Sequence, residues 1–529
     1  MTTRAPTLMH ELVEGSAGVH PDRPAVTHED RTLSYSELWD AVQAAGSGLT
    51  ALATGPRSRV AVYLDKRPET VIALFAASAA ALVVVPVNPV LRARQVAYII
   101  GDCTCEVLVT TPERLATLGD VLPQCPSLGS IVLTGPRPSD GAGPVAPEGV
   151  DLLWWGDLTA AQAAPVRRSI DLDVAAILDT SGSTGSPKGV VLSHRNVVAG
   201  AQSVNAYLPN TCEDVILAAL PFSFDAGLSQ LTTGFLVGAH VVLLNYLRPV
   251  DVPRLCARHG VTALTCVPPL WIQIADVAWP DEARASLRYF ANTGGRMPRT
   301  TLDSLRALFA QASPYLMYGL TESFRSTYLD PREIDRRPDS IGRAIPNAEI
   351  VVVGADGQPC GPGETGELVH RGALVSLGYW NDPERTAVRF RPAPGALDGQ
   401  TLTDMAVWSG DLVRLDDEGY LYFVGRNDEM IKTSGYRVSP TEIEEAAYAT
   451  GVVRDAVAFG VPDDVLGQRI LLVVSANGST GDPVAEVLAR MRTMVPLYMV
   501  PSEVVVRDEL PRSPNGKFDR TAIREDVLT

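Results

Sequence analysis

One loop rich in glycine and hydroxyl residues constrains the fold of this chain more than any other stretch. Residues 179–189 read Asp-Thr-Ser-Gly-Ser-Thr-Gly-Ser-Pro-Lys-Gly, and a short apolar run at 174–178 precedes them. Such a run is typical of a buried strand. Glycine permits sharp turns, while backbone N–H groups and hydroxyls can bind an anion. The stretch therefore predicts a phosphate-binding loop that leaves the end of a strand in an α/β fold.

Two other interpretations of this loop fit less well. A flexible Gly/Ser linker needs neither a preceding strand, nor Lys188, nor the second apolar run at 189–192. The usual nucleotide P-loop requires G-x-x-x-x-G-K-[ST] at the start of a helix. Here Pro187 precedes the lysine and Gly189 follows it. The pattern therefore indicates a phosphate site of a different kind.

The composition excludes several classes of protein. A chain of 529 residues with 46% hydrophobic and 20% charged residues is expected to form two or more globular domains. A net charge of −16 disfavours general binding to nucleic acid or to an anionic membrane. The first residues lack the apolar core of a signal peptide, and the longest apolar run, at 71–87, contains a proline. We therefore expect a cytoplasmic protein with no nucleic-acid or membrane partner.

The first 170 residues or so alternate between strand and helix patterns. A capped helix start lies at 33–38, and strand patterns at 59–64 and 82–87 flank an alanine-rich helical pattern at 68–81. A strand, a helix and a strand in succession predict a parallel sheet. This part of the chain is therefore expected to belong to the α/β class.

Further motifs follow the phosphate loop in a fixed order, and together they resemble the adenylate-forming superfamily. That superfamily includes acyl-CoA synthetases, luciferases and the adenylation domains of nonribosomal peptide synthetases. The resemblance covers almost the whole chain. The motifs lie at 220–229, 292–295, 317–323, 409–412, 425–428, 431–440 and 510–519.

The resemblance implies an α/β protein of two domains. A large N-terminal domain, residues 1–427, would contain two parallel-sheet α/β subdomains and a small β-barrel-like subdomain, and would bind ATP and substrate. A small mobile α+β domain, residues 428–529, would follow and would carry Lys517. Asp428 falls at the position of the superfamily's interdomain hinge.

The resemblance also implies that ATP and Mg²⁺ are used. Tyr318 would stack on the adenine, and Thr321 would bond a phosphate. Glu322 would hold Mg²⁺, a hard cation that prefers carboxylate and phosphate oxygens. Asp411 offers two acceptor oxygens to the paired hydroxyls of a ribose. The predicted ATP site consists of Thr180, Ser181, Gly182, Ser183, Thr184, Gly185, Lys188, Gly294, Gly295, Tyr318, Gly319, Thr321, Asp411, Arg426 and Lys517.

Two motifs of the last hundred residues are expected to serve different steps of the reaction. Lys517 lies in a Pro/Gly loop at the position of the superfamily's catalytic lysine, where an ammonium can bridge the substrate carboxylate and the α-phosphate. Lys432 and Gly435 resemble the loop that enters the site for thioester formation, where the glycine leaves room for a pantetheine arm. The predicted catalytic residues are Lys517, Thr184, Lys188 and Glu322.

The acid pocket is expected around the pair Phe224-Asp225. The pair looks like the one with which amino-acid-activating domains bind the substrate ammonium, through a charge-assisted hydrogen bond in a water-poor pocket. Asp225 also suits a turn or a helix cap. Arg325 could bind a substrate carboxylate, pair with Asp225 or lie in solvent, and the sequence leaves these alternatives open. The predicted substrate-binding residues are Asp225, Phe224, Ser229, Cys266, Thr293, Met317, Gly319 and Arg325.

These implications describe a ligase that works in two steps. A carboxylate would attack the α-phosphate of ATP and release pyrophosphate, and a thiol would then displace AMP. The favoured substrate is a small α- or β-amino acid. The favoured acceptor is the phosphopantetheine thiol of a separate acyl or peptidyl carrier protein, in natural-product biosynthesis. The alternative is a coenzyme A ligase for a carboxylic acid without an amino group, and a non-catalytic nucleotide-binding protein fits less well.

Overall fold

The helices and strands can be described over most of the chain. The computed structural model describes residues 5–138, 143–160, 168–180, 187–395, 399–426, 429–433, 436–463, 466–477, 482–495, 497–513 and 516–528. The helices are α1 (Glu11–Val19), α2 (Tyr35–Leu52), α3 (Pro68–Ala79), α4 (Ala93–Asp102), α5 (Pro112–Leu118), α6 (Trp155–Thr159), α7 (His194–Tyr207), α8 (Asp225–Val237), α9 (Asp251–His259), α10 (Pro268–Ala275), α11 (Asp281–Ser286), α12 (Arg299–Leu308), α13 (Pro383–Arg389), α14 (Pro440–Ala449), α15 (Pro483–Met494) and α16 (Arg520–Leu528).

The strands belong to three sheets. They are β1 (Pro24–His28), β2 (Arg31–Ser34), β3 (Arg59–Val62), β4 (Val83–Pro86), β5 (Val107–Thr110), β6 (Ser130–Leu133), β7 (Asp151–Trp154), β8 (Val174–Thr180), β9 (Lys188–Ser193), β10 (Val215–Ala218), β11 (His240–Leu243), β12 (Ala263–Cys266), β13 (Tyr289–Asn292), β14 (Ser313–Tyr318), β15 (Thr327–Leu329), β16 (Ser340–Ala344), β17 (Ala348–Val353), β18 (Thr365–Gly372), β19 (Phe390–Pro392), β20 (Met405–Leu415), β21 (Leu421–Arg426), β22 (Ile431–Thr433), β23 (Tyr436–Val438), β24 (Val453–Asp463), β25 (Gly467–Ala476) and β26 (Glu503–Val506).

The first sheet has the strand order β7-β6-β5-β3-β4-β8-β9. Its pairs are parallel except for β8 with β9, which is antiparallel. The succession β3, α3, β4 confirms the parallel unit that the sequence predicts. The predicted helix start at 33–38 is also confirmed. The Ser34 hydroxyl accepts a hydrogen bond from the Glu37 N–H, and the Glu37 carboxylate accepts one from the Ser34 N–H.

The second sheet runs in the order β17-β18-β20-β21-β16-β15-β14-β13-β12-β10-β11-β1-β2, with β19 beside β20. Strands β10 to β14 pair in parallel, and the pairing becomes antiparallel from β14 to β15 onward. The small antiparallel subdomain therefore continues the edge of the second parallel sheet. In open α/β sheets, ligands bind beyond the carboxyl ends of the strands. Here β12, β13 and β14 end at Cys266, Asn292 and Tyr318.

Helices buried between the two parallel sheets hold them together. The ring of Phe235 in α8 lies 5.3 Å from that of Phe75 in α3 and 6.0 Å from that of Tyr35 in α2, measured between centroids. All three side chains are fully buried. Because α8 packs against elements of the first sheet at one end and carries Asp225 at the other, this core also positions the acid pocket.

The C-terminal part forms a small α+β unit. Strands β23-β22-β25-β24 pair in that order and β26 adds to β25, while Ile443 of α14 and Met491 of α15 are buried against them. An ion pair joins Glu445 of α14 to Arg296, which follows β13. The predicted α/β class, with a large N-terminal domain and a smaller C-terminal one, is confirmed.

Among the described residues, no helix combines the length and the apolar character that crossing a bilayer requires.

Candidate active site

Strands β8 and β9 hold the two ends of the predicted phosphate loop. Thr180 pairs with Lys188 across this antiparallel ladder, so both residues lie where the loop leaves and re-enters the sheet. The predicted strands on either side of the loop are therefore confirmed. The predicted ligands Ser181, Gly182, Ser183, Thr184 and Gly185 lie outside the described residues.

A distant segment docks onto β9 and completes this end of the site. Backbone hydrogen bonds run from the N–H of Leu377 to the carbonyl of Val191 (2.8 Å) and from the N–H of Trp380 to the carbonyl of Gly189 (2.7 Å). This pairing brings the side chain of Tyr379 over the first residue of β9. The ring centroid of Tyr379 lies 5.2 Å from Nζ of Lys188.

The Tyr379 hydroxyl donates a hydrogen bond to Oε1 of Glu322, which is 8% exposed. Nε of Arg389, at the end of α13, lies 3.9 Å from the same oxygen. Burial lowers the pKa of Lys188, and the carboxylate of Glu322 partly opposes that shift. Two cations thus surround one carboxylate, an arrangement suited to a polyphosphate. Sequence reasoning missed Tyr379 and Arg389, because no motif around either residue indicates a phosphate site.

Glu322 is also the predicted magnesium ligand. Among the described residues, no group of three or more His, Cys, Asp and Glu side chains could hold a metal ion. Mg²⁺ is commonly bound by one or two carboxylates together with substrate phosphates and water. A single buried carboxylate beside Lys188 fits that mode, and does not fit an all-protein metal cage.

The predicted nucleoside site contains a buried acceptor without a partner. Asp411 of β20 accepts a hydrogen bond at Oδ2 from the hydroxyl of Tyr318 (2.5 Å). Its Oδ1 is buried and accepts no hydrogen bond from the described residues, and Nη1 of Arg426 lies 3.7 Å away. Burial raises the pKa of Asp411, while the positive charges of Arg426 and Lys517 oppose the shift. Leaving such an oxygen unsatisfied costs about 1–3 kcal/mol, which a ribose hydroxyl would recover.

Other predicted nucleotide residues follow the ends of β13 and β14. Gly294 follows β13 with a left-handed φ of 75°, a conformation that favours glycine. The side-chain amide of Asn292 donates a hydrogen bond from Nδ2 to the carbonyl of Gly295 (2.8 Å). Thr321 begins a short 3-10 helix that follows β14 and ends at Ser323.

Lys517 reaches this site from the C-terminal domain. A Cβ added at Gly294 would lie 4.0 Å from Cε of Lys517. The charge of Lys517 also opposes the rise that burial causes in the pKa of Asp411. The side chain of Lys517 therefore lies beside the predicted nucleotide pocket. Of the residues predicted for thioester formation and the hinge, Gly435 and Asp428 lie outside the described residues, as does the side chain of Lys432.

A small cavity of about 20 Å³ lies between α7, α8 and strands β10, β12, β13 and β14. Three of the predicted substrate residues line it, namely Ser229, Met317 and Arg325, together with Thr265. Cys266, the next residue of β12, is fully buried in a hydrophobic cluster on the other side of the strand. The side chains that face the cavity therefore include Thr265 and exclude Cys266.

Two more predicted substrate residues lie at strand ends. The N–H of Thr293, just after β13, donates to the carbonyl of Cys266 (3.1 Å), and Thr293 is buried. A Cβ added at Gly319 would lie 2.9 Å from Cα of Arg325. Glycine is thus required at 319 because the backbone of residue 325 approaches it closely.

Asp225 and Arg325 form an ion pair in which the arginine is buried and the aspartate is partly exposed. Asp225 opens α8, directly after the N-cap residue Phe224, and its Oδ2 accepts a hydrogen bond from Nη1 of Arg325. The same Nη1 donates to the carbonyl of Phe324 (2.8 Å). The side chains of Arg325 and Asp225 are 3% and 16% exposed. Of the alternatives that the sequence leaves open for Arg325, the structure shows pairing with Asp225.

An unusual backbone conformation at Phe324 directs the side chain of Arg325 toward Asp225. Phe324 has a φ of 57°, which is strained for a residue with a bulky side chain. Its ring is fully buried against α7, where a Cβ at Gly200 would lie 2.4 Å from the ring. The absence of a side chain at 200 therefore makes room for the ring that holds this turn.

Comparisons with known proteins agree with this architecture. Residues 13–380 match the family described as AMP-binding enzyme, and residues 442–517 match the AMP-binding enzyme C-terminal domain. The crystal structure of ATP-bound MatB from Rhodopseudomonas palustris is 26% identical, with a TM-score of 0.85, and the match covers 98% of this chain and 99% of that one.

Curated relatives differ in length, and the names of two of them specify different acceptors, a carrier protein and coenzyme A. The L-proline--[L-prolyl-carrier protein] ligase of Streptomyces coelicolor is 32% identical, over 98% of this chain and 96% of that protein. The feruloyl-CoA synthase of an Amycolatopsis species is 30% identical, over 96% of each chain. Tyrocidine synthase 2 of Brevibacillus parabrevis is 29% identical over 98% of this chain, but the chain spans only 14% of the length of that protein.

Proposed function

Because this chain belongs to the AMP-binding enzyme family and is an adenylate-forming ligase, we propose that it activates a small amino acid with MgATP. The aminoacyl group then passes to the phosphopantetheine thiol of a separate carrier protein, in natural-product biosynthesis. One observation carries the amino-acid part of this proposal. Asp225 offers a second carboxylate oxygen, Oδ1, that accepts no hydrogen bond from the described residues, and an ammonium group can donate to it.

The first step joins the acid to the nucleotide. A carboxylate oxygen of the amino acid bonds to the α-phosphorus of ATP, and the bond from that phosphorus to the bridging oxygen of pyrophosphate breaks. Lys188 and Arg389 neutralise phosphate charge, and Lys517 lies between the reacting anions. Magnesium held at Glu322 would neutralise further phosphate charge. Asp411 and Tyr318 orient the nucleoside.

The second step transfers the acyl group. The sulfur of the acceptor bonds to the carbonyl carbon of the aminoacyl adenylate, AMP leaves with the electron pair of the broken C–O bond, and the thiol proton passes to solvent. We propose that the C-terminal domain, residues 428–529, turns about Asp428 between the two steps. Gly435 would then replace Lys517 at the site and admit the pantetheine arm.

A specific contact favours a second candidate function. Arg325 already compensates the charge of Asp225, so this carboxylate does not require a substrate cation. The protein would then be a coenzyme A ligase for an acid without an amino group, and feruloyl-CoA synthase is a relative of similar length.

Two assays separate these functions. ATP–pyrophosphate exchange over a panel of amino acids and their des-amino analogues identifies the acid, and we expect exchange with an amino acid. Thioester formation with coenzyme A or with a holo carrier protein identifies the acceptor, with the apo carrier protein as the control. Exchange with des-amino acids alone would contradict the proposed substrate, and efficient thioester formation with coenzyme A would contradict the proposed acceptor.

A further inference from the structure

Lys517 lies in a short hairpin formed by residues 511–513 and 516–519. Arg512 and Phe518 pair across it in antiparallel fashion. Leu510, just before the hairpin, is buried in a hydrophobic cluster with side chains of β24 and β25, and Phe518 packs against the same cluster. Burial of these apolar side chains holds the base of the hairpin on the C-terminal domain.

A charged side chain fixes the peptide group that joins Gly516 to Lys517. Nη1 of Arg512 donates a hydrogen bond to the carbonyl of Gly516 (3.1 Å). Gly516 has a left-handed φ of 76°, and glycine has more backbone freedom than any other residue. The hydrogen bond therefore restricts rotation of the peptide group directly before Lys517, and so restricts the direction in which the lysine side chain leaves the backbone.

The guanidinium of Arg512 is itself held in place by the core of the C-terminal domain. Its Nη2 donates to Oδ1 of Asp455 in β24 (2.7 Å), and its Cζ lies 4.1 Å from the ring centroid of Phe518. The other carboxylate oxygen of Asp455 accepts a hydrogen bond from the hydroxyl of Ser475 in β25 (2.8 Å). Ser475 is fully buried and Asp455 is nearly so. A planar guanidinium makes such contacts together at fixed angles, which an ammonium group cannot do.

We infer that Arg512, oriented by Asp455, is a positioning residue that directs Lys517 into the site of adenylate formation. This inference rests on the proposed role of Lys517 in the first step, and it does not depend on which acid is the substrate. Lys517 is exposed, and a lysine side chain has many rotamers, so the backbone is the part that the fold can fix. Because Lys517 leaves the site before the thioester step in the proposed mechanism, Arg512 acts in the first step alone.

Arg512→Gln in the intact protein tests this, with the acid that the exchange panel identifies. The maximal rate of adenylate formation should fall about tenfold while the KM for ATP changes little, because the lysine is needed in the transition state. Thioester formation from the supplied acyl adenylate should be unchanged, which would also show that the C-terminal domain is folded. Arg512→Lys should recover part of the lost rate. Equal losses in both steps would show that Arg512 only supports the fold, and the inference would be wrong although the proposed function stands.

A double substitution tests whether Arg512 acts through Lys517. When Lys517→Ala is already present, Arg512→Gln should cause little further loss of adenylate formation, because no ammonium group remains to be directed. A further loss of about tenfold would mean that the two residues act independently, and would overturn the inference.

Asp455→Asn should reproduce the selective loss of adenylate formation to a smaller extent, because Arg512 then lacks its anionic partner but keeps the carbonyl of Gly516. The matched control is Arg507→Gln, which removes another ion pair of the same domain, that of Arg507 with Asp526 (2.8 Å). The control should leave both steps unchanged, and a loss as large as that in Arg512→Gln would contradict the inference. If the wild type shows no pyrophosphate exchange with any acid, the proposed function is wrong and the inference is wrong with it.

Discussion

The nucleotide site and the acid cavity both use residues of β14 and of the segment that follows it, yet their charged groups are arranged differently. In the nucleotide site, Lys188 and Arg389 gather around one carboxylate, and Asp411 retains a buried oxygen without a hydrogen bond. At the acid cavity, the one charged residue that lines it among the described residues, Arg325, is neutralised by its neighbour Asp225. The first arrangement suits a highly charged ligand, whereas the second is already neutral without one.

The largest effect is expected from Lys517→Ala, which removes the cation that we place between the two reacting anions. Adenylate formation should fall on the order of a hundredfold or more, equivalent to about 3 kcal/mol. Thioester formation from a supplied acyl adenylate should change much less. Single-turnover assays of each step measure this difference, and equal losses in both steps would contradict the role of Lys517.

Asp225→Asn tests the acid side of the comparison. The substitution keeps the size of the side chain and removes its charge, so kcat/KM for the amino acid should fall by about 2 kcal/mol, roughly thirtyfold. The des-amino analogue offers no ammonium, and its kcat/KM should change little or rise. A parallel fall for both substrates would mean that Asp225 serves only to hold Arg325, and would favour the coenzyme A ligase.

Asp179, one residue before Thr180, differs from Asp411 and Asp225 because neither of its carboxylate oxygens is paired with another described residue. Neither oxygen has a hydrogen-bond partner among the described residues, and burial, with a smaller contribution from Asp102, raises its pKa to about 7. The folded protein therefore holds a proton that the unfolded chain loses near pH 4. The free energy of unfolding should consequently decrease as the pH rises through this range, by about 2 kcal/mol between pH 5.5 and pH 7, and level off above it.

Denaturant titrations across this pH range check the effect. Asp179→Asn should abolish the decrease that belongs to this group and should be more stable than the wild type above pH 7. The exposed residue Asp22 provides a control, since Asp22→Asn should leave the pH profile unchanged. If Asp179→Asn has the same pH profile as the wild type, the carboxylate is not protonated as described.

The smallest effect is expected from Tyr379→Phe. The ring over Lys188 is kept, but Glu322 loses the hydrogen bond that the Tyr379 hydroxyl donates. The KM for MgATP should rise about fivefold, equivalent to ~1 kcal/mol, while the KM for the acid stays constant. If only the KM for the acid changes, Tyr379 does not act in the nucleotide site and this prediction is wrong.

Local signals in the sequence predict much of the fold and part of the nucleotide site. The apolar runs on either side of residues 181–186 predict the strands β8 and β9. Ser34 and Glu37, three residues apart, predict the start of α2. Tyr318, Thr321 and Glu322 lie within one short motif. In each case the determining residues are neighbours in the chain, so their pattern can be recognised before the chain is folded.

Contacts between distant parts of the chain are decided only by the tertiary structure. Tyr379 reaches Glu322 because its segment pairs with β9. Thr265 rather than Cys266 faces the cavity because alternate residues of a strand point to opposite faces, and the packing of α8 selects which face becomes the wall. The sequence by itself determines that Asp225 and Arg325 are charged. Their pairing is decided by the fold, because the turn at Phe324, with its left-handed φ, brings the guanidinium of Arg325 to the first residue of α8.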